Sequence, residues 1–485
     1  MELLDLLVIG GGITGLGVAR LAARNGLSVA VLERADLASG ASSASSHMLH
    51  GGLRYLEHGR IGLVHEALRE RAAVGRMAPG LAKPTRFLVP LYRGGRVPPW
   101  KLRLGLWLYD ALATGDEGFQ RHAWLGARRA LAAEPALEPR GLRGAGVYGD
   151  AVMDDARLAV AVARDAAAHG AGIHTWTEVT GARPAAAAAV EVIARDRLRG
   201  GERTFTARVV VNAAGPWTDE VRALLQRALR PGAPEPAPLL RPSRGVHLVY
   251  PRLTEESGLL LIAGSDGRAF FVIPFAGRSL VGTTEVEVPS PPPPAAFRPT
   301  VEEVRYLVSE LARMLPAAAA QRPLAVYAGV RPLLRGGEVV GRASREHRVL
   351  AEGPVITVAG GKYTTFRAMA RDALALAGRT LGRGRWEPHD DDAPLPEPFE
   401  TRGGATAAAA HAAREEFARR LEDVMRRRTT LWLEEDRGRA VAPAAAEAMA
   451  RTLGWDEART QDEIRGYDEA LREEESLLHR ATEGR

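Results

Sequence analysis

The sequence predicts an α/β fold in three parts: a parallel-sheet domain that binds a nucleotide, a second domain with an antiparallel sheet, and an all-helical C-terminal cap. Three observations support this. Residues 5–33 read as strand, glycine-rich turn, helix and strand. Short apolar runs between turn residues recur from 247 to 284, as in an antiparallel sheet. From residue 405 onward, Arg and Glu recur at helical spacing.

The N-terminal unit contains every part of a dinucleotide-binding motif in register. An apolar strand at 6–9 leads into Gly10-x-Gly12-x-x-Gly15, a helix follows, and a second strand ends at Glu33. Gly10 allows the tight turn, Gly12 lets the backbone approach a pyrophosphate, and Gly15 lets the helix pack on the strand. The helix N-terminus offers N–H groups to phosphates. Glu33 can accept hydrogen bonds from ribose hydroxyls. Together, these parts predict a Rossmann-like domain that binds a dinucleotide.

Two later segments indicate that the dinucleotide is FAD. Residues 209–219 read as a buried strand ending in small residues, and residues 355–367 read as a strand, a glycine turn and a helix. Such widely spaced pieces fit a two-domain flavoprotein, in which late parts of the chain return to the cofactor.

A dense polar run, residues 42–59, follows the nucleotide unit. It contains four serines, three histidines and a Gly-Gly pair. Serine hydroxyls and backbone N–H groups can bond pyrophosphate, ribityl or flavin groups, and the paired glycines let the chain pass close to a ring system. We therefore expect this run to form the flavin cradle.

With these residues, the chain resembles the FAD-dependent, aerobic-type glycerol-3-phosphate dehydrogenases of the D-amino-acid-oxidase-like flavoprotein superfamily. The matching segments are SSASS at 42–46, HGGLRYLEH at 50–58, DDAR at 154–157, NAAGPW at 212–217, VGTTEVE at 281–287, GVRPLL at 329–334, SREH at 344–347 and GGKYTTFR at 360–367. Three positions depart from the family pattern: Ala41 replaces Thr, His47 replaces Lys, and Glu285 replaces Asp.

The resemblance implies oxidation of sn-glycerol 3-phosphate to dihydroxyacetone phosphate, with hydride transfer to flavin N5 and electrons passed to a quinone. A phosphate dianion requires converging cations and hydroxyls. The resemblance assigns this role to Arg54, Tyr55, Arg331, Arg345 and Lys362. The chain has only three lysines, so a lysine retained in the GGK motif is consistent with this role.

The reaction also needs a base for the hydroxyl proton, and histidine titrates near neutrality. The candidates are His247, which is preferred, and His50, and Arg331 is a third catalytic candidate that would assist proton transfer. The expected cofactor-binding residues are Gly10, Gly12, Ile13, Thr14, Gly15, Glu33, Arg34, Ser42, Ser43, Ser45, Ser46, His50, Gly51, Gly52, Val179, Ala213, Gly215, Trp217, Gly361, Lys362, Tyr363 and Thr364.

The expected domain limits are discontinuous. The FAD-binding domain takes residues 1–80, 145–225 and 350–385, and the substrate-binding domain takes 81–144 and 226–349. An acidic, Pro-rich linker then leads to the helical C-terminal cap at 400–485.

Composition excludes several classes of protein and site. With no cysteine, the chain has no disulfide and no thiolate ligand, and we expect no metal. The net charge is +6, but the basic residues are scattered along the chain and balanced by 59 acidic residues, and no nucleic-acid-binding motif is present. The basic excess therefore fits an anionic substrate or an anionic membrane surface better than a nucleic acid.

The sequence predicts a cytoplasmic protein, peripheral at most on the inner face of the cell membrane, and a homodimer is a further expectation. No run of 18 or more apolar residues occurs, so we expect no transmembrane helix, and we expect no signal peptide. Residues 97–113 are amphipathic, with Trp100, Lys101 and Trp107. They read either as a helix at a membrane interface or, as preferred, as a core helix under the substrate domain.

Three alternative functions remain open at this point. A glycerol-3-phosphate oxidase would pass electrons to oxygen and release peroxide. An amine or amino-acid oxidase would need a carboxylate clamp in place of the phosphate cluster. A non-enzymatic FAD-binding protein would show no flavin reduction by substrate.

Overall fold

The computed structural model describes residues 3–113, 118–336, 346–384, 386–390, 392–399 and 404–483. The strands are β1 (Leu3–Ile9), β2 (Val29–Leu32), β3 (Met48–Leu49), β4 (Ala82–Tyr92), β5 (Ala123–Gly126), β6 (Leu142–Met153), β7 (Gly172–His174), β8 (Thr177–Pro184), β9 (Val190–Asp196), β10 (Glu202–Asn212), β11 (Ser243–Pro251), β12 (Gly258–Ile262), β13 (Ala269–Phe275), β14 (Arg278–Gly282), β15 (Val286–Glu287), β16 (Ala325–Arg331), β17 (His347–Glu352) and β18 (Val355–Gly360). The helices are α1 (Ile13–Arg24), α2 (Ile61–Met77), α3 (Pro99–Leu112), α4 (Ala127–Ala133), α5 (Asp155–Ala168), α6 (Thr218–Leu229), α7 (Val301–Met314), α8 (Phe366–Thr380), α9 (Gly404–Glu415), α10 (Leu421–Arg427), α11 (Ala442–Leu453) and α12 (Glu457–Thr482).

The first sheet has the strand order β17-β18-β10-β1-β2-β7, and β8 and β9 extend it beside β10. The pairs β18 with β10, β10 with β1, β1 with β2 and β2 with β7 are parallel, whereas β17 is antiparallel to β18 and β9 is antiparallel to β10. The apolar runs of the parallel strands are buried on both faces, as in β1, where Leu6, Leu7 and Val8 are fully buried. Helices α1, α5 and α8 pack together beside this sheet. The predicted Rossmann-like α/β domain is therefore confirmed.

The second sheet has the order β15-β11-β14-β13-β12-β4-β6-β3, with β16 paired to β11 and β5 paired to β6. Its pairs are antiparallel except for β12 with β4. Helix α7 packs against it and begins with a capping box, in which Thr300 accepts from the Glu303 N–H and the Glu303 carboxylate accepts from the Thr300 N–H. The predicted antiparallel domain is also confirmed.

Two strands do not follow the expected domain limits. Strand β6 pairs with β4 along its length, and β3 pairs with β6, so residues 145–153 and 48–49 belong to the second sheet. The sequence assigned both to the FAD-binding domain, because the residues of a strand do not show which sheet it joins. The remaining limits stay a proposal.

Helices α9 to α12 form the C-terminal region, in agreement with the predicted all-helical cap. Small residues such as Ala409 and Ala445 let α9 and α11 approach closely around a core of their own. The segment before them, expected to be a linker, is held on the FAD-binding domain. Leu395 N donates to Met77 O at 2.8 Å, and Arg164 Nη1 donates to Glu397 O at 2.8 Å.

Helix α3 has one buried and one exposed apolar side. Leu102, Leu106 and Tyr109 are buried against the second sheet. Trp100 and Trp107, by contrast, are 67% and 58% exposed. The preferred interpretation as a core helix therefore holds for one face only. Within the described part of the chain, no helix combines the length and apolar character that crossing a membrane requires.

Candidate active site

A cavity of about 1570 Å³ is lined by both sheets and by the turns between them. It contains most of the residues that the sequence singled out. The expected residues that line it are Gly10, Gly12, Ile13, Thr14, Glu33, Arg34, Ser42, Ser45, Ser46, His50, Gly52, Arg54, Tyr55, Val179, Ala213, Gly215, Trp217, Arg331, Gly361, Lys362, Tyr363 and Thr364.

The glycine turn forms one end of the cavity. Gly10 has φ +112°, and a Cβ on it would lie 2.5 Å from Ala213 O. A Cβ on Gly15 would lie 2.0 Å from Gly10 O, so this glycine allows helix α1 to pack against the turn and does not line the cavity. A Cβ on Gly12 would meet only Ser42 Oγ, at 3.1 Å, which leaves its cavity side open to a ligand.

Glu33 directly follows β2, at the same end of the cavity. Its carboxylate accepts hydrogen bonds from Gly11 N at 2.7 Å and Ala35 N at 2.8 Å. Burial raises the pKa of this carboxyl in spite of the two donors. The neighbouring Arg34 guanidinium lies 3.9 Å from the centre of the Trp217 ring. Both residues face the cavity.

The serines of the polar run have separate partners. Ser42 Oγ accepts from Ile13 N at 3.0 Å and so joins the run to the start of α1. Ser45 Oγ donates to Asp155 Oδ2 at 2.5 Å. Ser46 Oγ lies 2.8 Å from His247 Nε2. Ser43 belongs to the same turn but does not line the cavity.

The turn His50-Gly51-Gly52 is supported from behind. Its His50 N–H donates to Thr364 Oγ1 at 3.3 Å, and Gly51 N donates to Tyr109 Oη at 2.8 Å. A Cβ on Gly51 would lie 2.6 Å from that same hydroxyl, so the glycine is required by packing and lies behind the cavity wall. Tyr109 Oη donates in turn to Asp150 Oδ1 at 2.7 Å.

Cationic and hydroxyl side chains also line the cavity. Arg54, Tyr55, Arg331 and Lys362 all line it. Lys362 Nζ lies 3.9 Å from the centre of the Tyr55 ring. Arg331 Nη2 donates to Thr283 Oγ1 at 2.7 Å, which fixes the direction of the guanidinium. Arg345, the fifth expected member, lies outside the described residues.

His247 lies behind the cavity wall, although the sequence made it the preferred base. It is 1% exposed and does not line the cavity. Its ring stacks on Tyr327 with 5.0 Å between centroids. Burial, together with the positive charge of Arg331 and the proximity of His47, lowers the pKa of His247 well below its usual range. The imidazole is therefore neutral at physiological pH.

Sequence reasoning missed four residues that hold parts of the site in place: Asp150 and Thr283 line the cavity themselves, and Tyr109 and Asp155 do not. Tyr109 and Asp150 hold Gly51, Asp155 holds Ser45, and Thr283 holds Arg331. Asp155 and Thr283 lie inside the matched segments DDAR and VGTTEVE, so these motifs could have identified them as site residues. Tyr109 and Asp150 lie in no such motif.

These residues fit FAD. The glycine turn leaves room for a pyrophosphate beside the N-terminus of α1, and the Glu33 carboxylate lies at the end of β2. The serine run and Gly52 continue along the same cavity toward Gly361 and Lys362. A dinucleotide would therefore pass from the first sheet to the second.

The comparisons with known proteins agree with this site. A model of the FAD dependent oxidoreductase family matches residues 5–367, and a model of the C-terminal domain of alpha-glycerophosphate oxidase matches residues 390–460. Glycerol-3-phosphate dehydrogenase 2 of Mycobacterium bovis is 34% identical, over 96% of this chain and 88% of that protein. The aerobic glycerol-3-phosphate dehydrogenase of Staphylococcus aureus is 36% identical, over 78% of this chain and 67% of that protein.

A solved structure extends the similarity to nearly the whole fold. The glycerol-3-phosphate dehydrogenase from Bacillus halodurans complexed with FAD has a TM-score of 0.75 and 25% identity, covering 97% of this chain and 95% of that one. The resemblance that the sequence motifs indicated is thereby confirmed. The chain belongs to the FAD dependent oxidoreductase family and, within it, to the FAD-dependent glycerol-3-phosphate dehydrogenases.

Proposed function

We propose that this protein oxidises sn-glycerol 3-phosphate to dihydroxyacetone phosphate with FAD and passes the electrons to a quinone at a membrane surface. One observation supports the substrate above the others. Arg54, Tyr55, Arg331 and Lys362 line the same cavity as the dinucleotide cradle. Three cations and a phenol are suited to a phosphate dianion, whereas an amino-acid substrate would need a clamp for a single carboxylate.

Within this pocket the side chains have different tasks. Arg331, directed by Thr283, offers a planar donor fork for two phosphate oxygens. Lys362 supplies a compact charge beside the Tyr55 ring, and Tyr55 adds a hydroxyl. Their combined positive charge binds the phosphate of the substrate. Binding at this end limits where the C2 hydroxyl can lie in the cavity.

We assign the base to His50 rather than to His247. His50 lines the cavity, and its backbone is held by Thr364. His247 is separated from the cavity by Ser46, and protonation of its ring would place a second positive charge near Arg331 in a buried site. His50 therefore takes the hydroxyl proton as C2 is oxidised. FAD, when bound, accepts the hydride from C2.

The exposed face of α3 supports a membrane surface as the site of electron transfer. Trp100, Leu104 and Trp107 share this face and are 67%, 56% and 58% exposed. Lys101 and Arg103 flank them, a mixture suited to an anionic lipid interface. Trp100 and Leu104 also line the cavity, so the cavity reaches this face. A lipid-soluble quinone would then enter the cavity from the membrane beside this face of α3.

An anaerobic titration tests the whole proposal. Glycerol 3-phosphate is expected to bleach the flavin absorbance, and glycerol without phosphate or an amino acid is not. If a short-chain quinone then restores the absorbance much faster than oxygen does, the acceptor is a quinone. Fast reoxidation by oxygen with peroxide release would identify an oxidase, and bleaching by an amino acid alone would overturn the substrate assignment. The homodimer stays a prediction, to be tested by light scattering of the purified protein.

A further inference from the structure

Asp36 is a buried carboxylate three residues beyond Glu33. It is 0% exposed, and two arginines at the end of α10, in the C-terminal region, pair with it. Arg428 donates to both carboxylate oxygens at 2.7 Å, and Arg427 Nε donates to Oδ2 at 2.5 Å. A planar guanidinium that bonds both oxygens of a carboxylate fixes the relative orientation of the two groups.

The loop that carries Asp36 is part of the cavity wall. Glu33, Arg34 and Ala35 precede Asp36 and line the cavity, and Ser39 and Gly40 follow and line it too. The loop is joined to the glycine turn, since Gly11 N donates to the Glu33 carboxylate. A displacement of Asp36 would therefore move the residues expected to hold the adenosine half of FAD.

The arginines are themselves held in place within the C-terminal region. Arg428 Nη2 donates to Glu416 O at 2.8 Å, and Arg427 Nη2 donates to Asp423 Oδ1 at 2.8 Å. Burial favours the neutral form of Asp36, but the charges of Arg428 and Arg427 outweigh it and lower the pKa of this carboxyl. The three side chains consequently form a buried ionic contact that exists only when α10 is docked.

We propose that docking of the helical C-terminal region through Asp36, Arg427 and Arg428 sets the 33–40 loop for FAD, so that the cofactor and this region stabilise each other. Arg428 is a positioning residue in this scheme, because it acts on the cavity through Asp36. Linkage requires the effect to be reciprocal: if α10 tightens FAD binding, FAD must tighten the docking of α10 by the same factor. The inference depends on FAD but not on the substrate.

The first test compares two buried arginines of the same region. Arg437 is 2% exposed, and it donates to Leu324 O at 2.9 Å, beside β16 of the second sheet. Arg428→Met is expected to raise the dissociation constant for FAD about tenfold, measured by titrating apoprotein and following flavin fluorescence. Arg437→Met removes a comparable contact away from the loop, and we expect a change below about threefold. Equal weakening by both variants would mean a general loss of the C-terminal region and would overturn the proposal.

A second test needs no arginine variant. Hydrogen exchange of the full-length protein is compared with and without FAD. The amides of 421–428 are expected to be protected by FAD together with those of 33–40, whereas α11 should change little. Asp36→Asn, which keeps the shape but removes the charge, should abolish the protection at 421–428. Protection of 33–40 without any change at 421–428 in the wild-type protein would overturn the proposal, even if every variant failed to fold.

Discussion

Ser46 Oγ lies 2.8 Å from Nε2 of His247, and this hydroxyl separates the buried imidazole from the cavity. Nδ1 of the same ring has no hydrogen-bond partner among the described residues. A proton taken up by His247 would therefore remain buried, without a counter-charge and near Arg331. This arrangement suits a neutral imidazole that orients Ser46.

The two histidines should differ in their effect on flavin reduction. His50→Asn is expected to slow reduction by glycerol 3-phosphate by about 10²–10⁴-fold at neutral pH, as loss of a general base does. His247→Asn can still bond Ser46 and should slow it by less than about tenfold. Anaerobic stopped-flow measurements over a range of pH would separate them, because only His50→Asn should remove the acid limb. The opposite ranking would restore His247 as the base.

His247 should also make the folded protein sensitive to acid. Its folded-state pKa lies well below the unfolded value near 6.5, so the unfolded chain takes up a proton first as pH falls. Its contribution to stability is thus fully present above pH 6.5 and is lost as pH falls below it, by up to about 1.4 kcal/mol per pH unit. His247→Gln should flatten the dependence of the unfolding free energy on pH between 5 and 6.5. The exposed His479→Gln serves as control, and an identical slope in all three proteins would contradict the assignment.

Replacing Gly12 and Gly15 by alanine should have different effects: the first should weaken FAD binding, and the second should destabilise the protein. A Cβ on Gly15 would lie 2.0 Å from Gly10 O, so Gly15→Ala should destabilise even the apoprotein, by about 1–3 kcal/mol or more. Gly12 has an extended backbone, and its Cβ would meet only Ser42 Oγ at 3.1 Å. Gly12→Ala should therefore unfold at nearly the wild-type apoprotein temperature but bind FAD poorly. Thermal unfolding with and without FAD checks both, and a Gly12→Ala protein that purifies yellow and FAD-replete would count against the pyrophosphate site.

Arg331 should contribute mainly to substrate affinity. A charged hydrogen bond is worth about 1.5–3 kcal/mol, so Arg331→Met should raise KM for glycerol 3-phosphate by about 10–100-fold. Arg335, four residues later, donates to Leu240 O and does not line the cavity, so Arg335→Met is the matched control. Steady-state kinetics with inorganic phosphate as competitor provide the measurement. A KM unchanged in Arg331→Met would place the phosphate elsewhere.

Local patterns predicted much of this protein because their physical causes are local. The glycine turn, α1 and Glu33 follow one another along the chain, so a single sequence motif specifies how this part of the site is arranged. The site's supports could not be predicted in this way. Asp36 meets Arg428 across 392 positions of sequence, and His247 meets Ser46 across 201. Such contacts depend on how helices and strands that are distant in sequence pack together. The hydrophobic periodicity of the sequence does not show how they pack. For the same reason the sequence did not reveal that β6 belongs to the second sheet or that His247 lies behind Ser46.

The exposed tryptophans of α3 should govern binding to anionic membranes. Trp100→Ser with Trp107→Ser removes two large exposed rings from one face, while the buried Leu102 and Leu106 that hold the helix stay in place. We expect co-flotation with vesicles of phosphatidylglycerol and phosphatidylcholine to weaken about tenfold or more, because each ring would bury apolar surface in the interface. Leu198→Ser with Val286→Ser removes exposed apolar side chains outside α3 and should leave flotation unchanged. The reduction of FAD by glycerol 3-phosphate should be the same in both double variants, which separates surface binding from chemistry. Equal flotation of the wild-type protein and the tryptophan variant would show that α3 does not contact the membrane.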